Sequence, residues 1–299
     1  MHSMSFYIVT PSRNQRPLLE LCMKSVADQA GVRVHHHVQD GASTDGTAPF
    51  LAEYASSLQK DPRYSFSFES AADSGMYDAI NRGWRRSLAA PFDVYAYLNC
   101  DEQYLPDALS HIASAFEKSS ETAVCFGHVL VIDEDGELVC RRDVVEPNRY
   151  HVRLAHLPVF TAATFLRSRV LVEDALFFDD RFRVMGDAKW VLGMLDSGLK
   201  LQVVNRYLST FVSRADNLAL SEVGQAELEI LRDGLPAFVK PFEWPIKLHH
   251  RLKKAMVGAY FPRPVEYDIH CPGAEHRTHF RVKRSFGVWR ERLRHGRGR

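Results

Sequence analysis

Over the first 120 residues two hydrophobic periods alternate, and that alternation leaves few folds open. Short β-rich runs at residues 5–10, 32–39, 64–69 and 94–98 are separated by stretches of helical period. The helical stretches are residues 18–27, a helix starting near Ser43 or Thr44 and running through Phe50, Leu51, Tyr54 and Leu58, residues 78–88, and residues 106–116; residues 123–131 read as a further strand. Strands joined by helical crossovers pair in parallel, and the crossovers cover both faces of the sheet. Ligands of such sheets sit beyond the carboxyl ends of the strands. Polar motifs stand at those points: Thr10, Ser12 and Asn14 after the first strand, Asp40 after the second, and Asn99 and Asp101 after the fourth.

Later segments are less regular. Asp133-Glu134-Asp135-Gly136 is a hairpin turn signal. Residues 171–195 read as helical with a break near Phe177-Phe178-Asp179, residues 199–212 as strand, and residues 218–235 as helix. The expected division is a catalytic-type α/β domain over residues 1–215 and a helical, basic extension over residues 216–299.

Charge bears on partners. The chain has a net charge of +1, so bulk attraction to nucleic acid is not expected. Residues 246–299, however, carry 14 Lys and Arg against 4 Asp and Glu. Such a segment suits an anionic membrane surface or an oligomer contact; its cations include Lys247, Arg251, Lys253, Lys254, Arg290, Arg292 and Arg294, set among Trp244, Phe261 and Trp289. The five cysteines are odd in number and lack CxxC spacing, which fits a reducing compartment. No basic run precedes an apolar stretch at the N-terminus, and no run of apolar residues is long enough to span a bilayer. A cytoplasmic protein is expected, with any membrane contact peripheral on the inner face.

Four motifs carry candidate chemistry. In LNCDEQY, Asn99 and Asp101 stand two apart at a strand end; hard oxygens so placed hold a divalent cation on a diphosphate, or form a polar turn capping the next helix. In VQDGASTDGT, Asp40 is set to hydrogen-bond a nucleotide base, or the segment is a well-capped strand-to-helix connection. In ESAADSGMYDAINRGW, the Asp73-Ser74-Gly75 loop precedes a helix on which Asp78, Asn81 and Arg82 share a face; Arg82 could meet phosphate, or the face is solvated. In RVMGDAKW, Asp187 lies among apolar residues, either as a base that takes a hydroxyl proton or as a helix N-cap. His35-His36-His37 reads as a partly buried structural triplet, since alternate residues of a strand face opposite ways.

Together IVTPSRNQ, VQDGASTDGT, DSGMYDAINRG, YLNCDEQY, TAATFLRSRV and FDDRFRVMGDAKW resemble the family 2 glycosyltransferases, over roughly residues 6–195. The resemblance implies a GT-A fold: Rossmann-like, with a mostly parallel central sheet and helices on both faces. It also implies an inverting transfer from a nucleotide-diphosphate sugar with Mn²⁺ or Mg²⁺. By position, Thr10, Pro11, Ser12 and Arg13 would line the donor pocket with Asp40 on the base. Asp73, Gly75, Asp78 and Asn81 would lie near the ribose and diphosphate. Asn99-Cys100-Asp101 stands at the family's DxD motif, with Asp101 the metal ligand and Glu102 flanking. Asp187 would be the catalytic base, and Thr164, Phe165 and Arg167 would border the acceptor. Two departures stand out: Asn99 replaces the first acid of DxD, and Lys189 stands where relatives often carry a second acid after the base. The acceptor implied is a lipid-linked glycan in surface polysaccharide assembly. The alternatives are a sugar nucleotidyltransferase and a non-catalytic scaffold of this fold.

Overall fold

Apolar and β-branched residues form the strands that the alternation marks out. The structure, a computed structural model, describes residues 3–58, 61–213 and 221–288. Along the chain run β1 (Ser5–Ser12), α1 (Arg16–Ala27), β2 (Arg33–Asp40), α2 (Thr47–Ser57), β3 (Tyr64–Ser70), α3 (Met76–Arg85), β4 (Val94–Tyr97), β5 (Gln103–Tyr104), α4 (Ala108–Lys118), β6 (Val124–Ile132) and β7 (Leu138–Arg142). There follow α5 (Arg149–Leu154), β8 (Thr164–Arg167), α6 (Arg169–Val172), α7 (Gly186–Asp196), β9 (Leu201–Val212), α8 (Glu222–Asp233), α9 (Glu243–Met256), β10 (Arg263–Ile269) and β11 (Thr278–Ser285).

One sheet takes the order β3-β2-β1-β4-β8-β6-β9-β5, with β7 also paired to β6. β3, β2, β1 and β4 are mutually parallel, as are β6 and β9, whereas β8, β5 and β7 join antiparallel. The expected mostly parallel sheet is present. Period-two alternation divides β1 between two cores. Tyr7 and Val9 pack with Trp84, Tyr95, Tyr97 and Trp190 on one face; Phe6 and Ile8 pack with Cys22, Ile112 and Phe116 on the other. The histidine triplet follows the same alternation. His35 and His37 both hydrogen-bond Ser67, and His36 on the opposite face meets Thr10 Oγ1 at 2.8 Å.

Two expectations change. Residues 171–195 are not one broken helix. α6 is a single turn, Ala175 has a left-handed φ of 49°, and α7 begins only at Gly186. The expected break near Phe177-Phe178-Asp179 widens into a loop folded onto the aromatic core: Phe178 stacks against Tyr77 and Trp84 and tilts onto Trp190 at 4.3 Å. The C-terminal extension is only partly helical. β10 and β11 form an antiparallel ribbon whose Val265, Tyr267 and Ile269 pack on Leu105, Leu130 and Ile132. The expected boundary at 215/216, and Trp289, Arg290, Arg292 and Arg294, lie outside the described residues.

Polar contacts fasten this ribbon to the sheet. Arg277 reaches Asp28 at 2.6 Å and the Tyr104 carbonyl at 2.9 Å. Arg141 and Asp143 form a fully buried ion pair at 2.8 Å; Tyr207 donates to Asp143 at 2.6 Å and Arg141 donates to the Phe261 carbonyl at 2.7 Å. Truncating one member of such a pair strands the other charge in the interior. Arg141→Leu should therefore cost about 3–5 kcal/mol in chemical denaturation, whereas the exposed pair Lys200–Glu121 should be nearly silent when broken.

Candidate active site

The loops after β1 and β2 are locked to each other. Asn14, held at a positive φ of 52°, accepts from the Thr44 N–H at 2.8 Å, while its own N–H donates to Ser43 Oγ at 2.8 Å. Asp40 is fully buried. Its carboxylate accepts from the Ser43 N–H at 3.0 Å and from the hydroxyls of Ser43 and Ser70, which joins the ends of β2 and β3. Much of its capacity is thus spent on shaping the loop. Thr10 turns into the sheet toward His36, Pro11 and Ser12 continue β1 beside Gln39 and Asp40, and Arg13 is exposed beside Gly41. Ser12 Oγ is buried without a hydrogen-bond partner.

Asp73 folds back over this loop. Its Oδ2 would lie 2.7 Å from a Cβ at position 41, and its Oδ1 accepts from the Gly75 N–H at 2.9 Å. Only glycine leaves room at 41 for that close approach. Asp78, in the first turn of α3, accepts from the Ser74 N–H and pairs with Arg82 at 3.0 Å. The Arg82 guanidinium is thereby engaged by Asp78 and the Ala72 carbonyl, and Arg82 ties the loop to its helix. Asn81 is a correction. Its amide is buried and makes two hydrogen bonds to the backbone of Phe178, donating to the carbonyl at 2.9 Å and accepting from the N–H at 3.0 Å. It anchors the 177–182 loop and is not directed at a ligand.

Beyond β4 the chain turns tightly through Asn99-Cys100-Asp101. The buried Glu102 carboxylate accepts from the Asn99 N–H at 2.9 Å and from its side-chain amide at 3.2 Å, which leaves Asn99 Oδ1 buried without a partner. Burial first, and then the charge of Asp101, push the Glu102 carboxyl up to about 8. Cys100 is buried and meets Gln15 Oε1 at 3.6 Å; it packs beside Leu19 and Leu51. Asp101 is half-buried and borders a cavity of about 400 Å³ formed with Leu18, Gln103, the acidic turn 133–136 and His270.

Among the described residues no three His, Cys, Asp or Glu side chains converge as a complete metal cage. A neutral amide oxygen without a partner and a neighbouring carboxylate nonetheless match the donor chemistry of a hard cation whose remaining ligands come from phosphate oxygens and water.

Asp187 comes to this edge from α7. Its N–H donates to the Tyr77 hydroxyl at 3.2 Å, so the first turns of α7 and α3 touch directly. Gly186 makes the approach feasible: a Cβ there would fall 2.4 Å from the Tyr77 ring. The Asp187 carboxylate is half-buried and accepts from the Ala188 N–H at 2.7 Å. Burial, with a smaller push from Glu227, raises it to about 6. Burial first, then nearby Tyr77, Glu102 and Asp187, also raise the Tyr97 hydroxyl well above its ordinary range. Tyr97, at the end of β4, therefore feels the acids of both flanking loops.

Two residues with evident roles escaped sequence reasoning. The Arg183 guanidinium lies against Gly75, 2.8 Å from where a Cβ would be, at the start of α3. Glu227 of α8 is buried, and its carboxylate accepts from three successive backbone N–H groups, Arg183 at 2.6 Å, Val184 at 2.9 Å and Met185 at 2.7 Å. It fixes the loop that delivers Asp187. Arg183 stands inside a motif that did mark the region. Nothing in the local pattern of α8 distinguishes Glu227 from a solvated acid.

The acceptor-side residues divide. Thr164 opens β8 beside the end of β4, buried, with its hydroxyl donated to the Phe160 carbonyl. Arg167 is a correction. It pairs with Val94 at the opposite edge of the sheet and donates to the carbonyls of Thr122, Phe116 and Ser119. Antiparallel β8 runs away from the site, so four residues carry the chain across the sheet.

The model described as glycosyl transferase family 2 matches residues 7–176, ending before Asp187. No curated protein matches the chain. Among solved structures, it is similar to TarS of S. aureus, with 12% identity over 92% of this chain and 60% of that one, at a TM-score of 0.54. It is also similar to TarS 1–349 in complex with UDP-GlcNAc, with 11% identity over 94% of this chain and all (100%) of that one, at a TM-score of 0.53. The mannosyltransferase PcManGT of Pyrobaculum calidifontis, in complex with GDP-Man and Mn²⁺, shares 15% identity over 86% of this chain and 73% of that one, at a TM-score of 0.57. This chain thus spans 60% of the longer TarS chain, and at these identities the likeness is one of fold.

Proposed function

This chain belongs to glycosyl transferase family 2, and from that premise we propose that it transfers a sugar from a nucleotide-diphosphate donor to an acceptor hydroxyl with inversion. The observation that carries this reading is the meeting of α3 and α7. Through Tyr77 it joins the Asp73–Gly75 loop to Asp187, a carboxylate whose affinity for protons suits a base working near neutrality.

In this scheme the nucleotide lies along the edge made by the β1, β2 and β3 loops, with Asp73 and the Gly75 backbone beneath the ribose and diphosphate. Arg183 offers its guanidinium to the diphosphate from the other side. Asp187 removes the acceptor proton as that oxygen attacks the anomeric carbon, while the bond to the diphosphate breaks on the opposite face. Asn99 and Asp101 would hold Mn²⁺ or Mg²⁺, which supplies Lewis-acid stabilisation of the departing diphosphate. Positioning of donor and acceptor supplies much of the remaining acceleration. The acceptor is read as a lipid-linked glycan presented at the inner face of the cytoplasmic membrane.

Incubation with nucleotide sugars and Mn²⁺ should release nucleoside diphosphate and give a product of inverted anomeric configuration by NMR. Pyrophosphate release from a nucleoside triphosphate and a sugar 1-phosphate would identify a nucleotidyltransferase instead, and a retained configuration would remove Asp187 as the base. Asp101→Ala should weaken metal-dependent nucleotide binding by roughly 100-fold or more, because loss of even an outer-shell partner costs 10–100-fold. Calorimetric titrations giving the same affinity for variant and wild type would rule out Asp101 as a ligand.

A further inference from the structure

Helix α9 is packed inside out. Its buried residues are His250 and Lys254, which meet His156 of the segment after α5 at 3.1 and 2.8 Å, and His249 reaches the buried His151 at 3.0 Å. Burial first holds His151, His156 and His250 well below the usual histidine range. The outward face is apolar. Trp244, Leu248, Leu252 and Met256 recur every fourth residue and form one stripe at 100° per residue. They are 71%, 38%, 55% and 79% exposed, and the stripe lies opposite His250 and Lys254. Phe238 and Phe242, in the segment just before α9, are exposed as well. An amphipathic helix on a globular surface ordinarily buries the face that this one exposes.

Charge selects the occupant. On the helical wheel Arg251 borders one side of the stripe, next to Lys247, which pairs with Glu243, and Lys253 borders the other. An apolar stripe with a Trp and a cationic border is the arrangement of helices that lie in the plane of an anionic membrane interface. A second copy of the chain would set Arg251 and Lys253 against their own counterparts, whereas phosphate headgroups neutralise them.

We infer that α9 docks this protein on an anionic lipid bilayer, with Trp244, Leu248, Leu252 and Met256 in the headgroup–acyl boundary. The inference gives the proposed lipid-linked acceptor a place, but it stands on the exposed face and not on the transfer chemistry. It also moves the expected membrane contact from the basic tail to a defined helix.

The test is co-sedimentation of the full chain with vesicles of phosphatidylcholine and phosphatidylglycerol, or of phosphatidylcholine alone. Its variant carries Trp244→Ser, Leu252→Ser and Met256→Ser. These side chains face solvent, so unfolding is not expected; circular dichroism and donor hydrolysis at the wild-type rate check this. Wild type should bind the mixed vesicles, prefer them to phosphatidylcholine, and lose at least about tenfold in partitioning in the variant. Equal partitioning of both proteins, or no binding of wild type to anionic vesicles, overturns the inference. A wild-type mass by light scattering twice that of the variant, without vesicle binding, assigns the face to a second copy and overturns it also. Vesicle binding without turnover of any donor leaves docking standing and removes the sugar-transfer reading.

Discussion

Asp187→Asn should keep its fold and bind donor with unchanged affinity, yet transfer sugar 10²–10⁴-fold more slowly, the range a positioned general base typically contributes. The substitution retains the shape of the side chain and an oxygen to accept from the Ala188 N–H, so a stability loss is not its main effect. The pH profile supplies an independent sign. A base must be deprotonated to act, and the Asp187 carboxyl is raised to about 6 by burial. The wild-type rate should fall about tenfold per pH unit below that value and level off above it. In Asp187→Asn that limb should vanish. A variant with wild-type kcat, or with the same acid limb, would transfer the role of base to another group.

Glu227→Ala should lower kcat by roughly 10–100-fold while the KM for donor changes little. Three backbone N–H groups lose their anionic acceptor at once, and a bond to a charged partner is typically worth about 1.5–3 kcal/mol. The loop from Arg183 to Met185 then loses its fixed position, and Asp187 with it. Glu227→Gln separates this from general weakening. It keeps one accepting oxygen and should recover part of kcat. Because the Glu227 charge helps to raise the Asp187 carboxyl, removing that charge should move the acid limb to lower pH. A purely structural brace would leave the limb where it is. An unmoved limb together with an unchanged kcat would strike Glu227 from the site.

The sequence made the order of strands and helices over the first 120 residues legible because both periods are local. Each of β1, α1, β2 and β3 is found within a few residues of its expected place. Contacts between distant segments were not legible. Asn81 looks like a ligand residue from its helix face, but its partner, Phe178, lies 97 residues away. The family resemblance puts Arg167 on the acceptor side by position, but the antiparallel course of β8 takes it to the far edge. The ribbon of β10 and β11 was hidden by its charged, half-exposed residues, which alternate as in a surface strand but lack an apolar run. Glu227 was missed because one buried acid on a polar helix has no local signature; only the folded loop shows what it holds.

Glu227 also bears on protein engineering. The family match ends at residue 176, which invites a design that exchanges everything after β9 between relatives. A chimera built at that seam would have to import a carboxylate in register with the 183–185 amides. Without one, a perfectly folded hybrid would bind its nucleotide and stall at the chemical step.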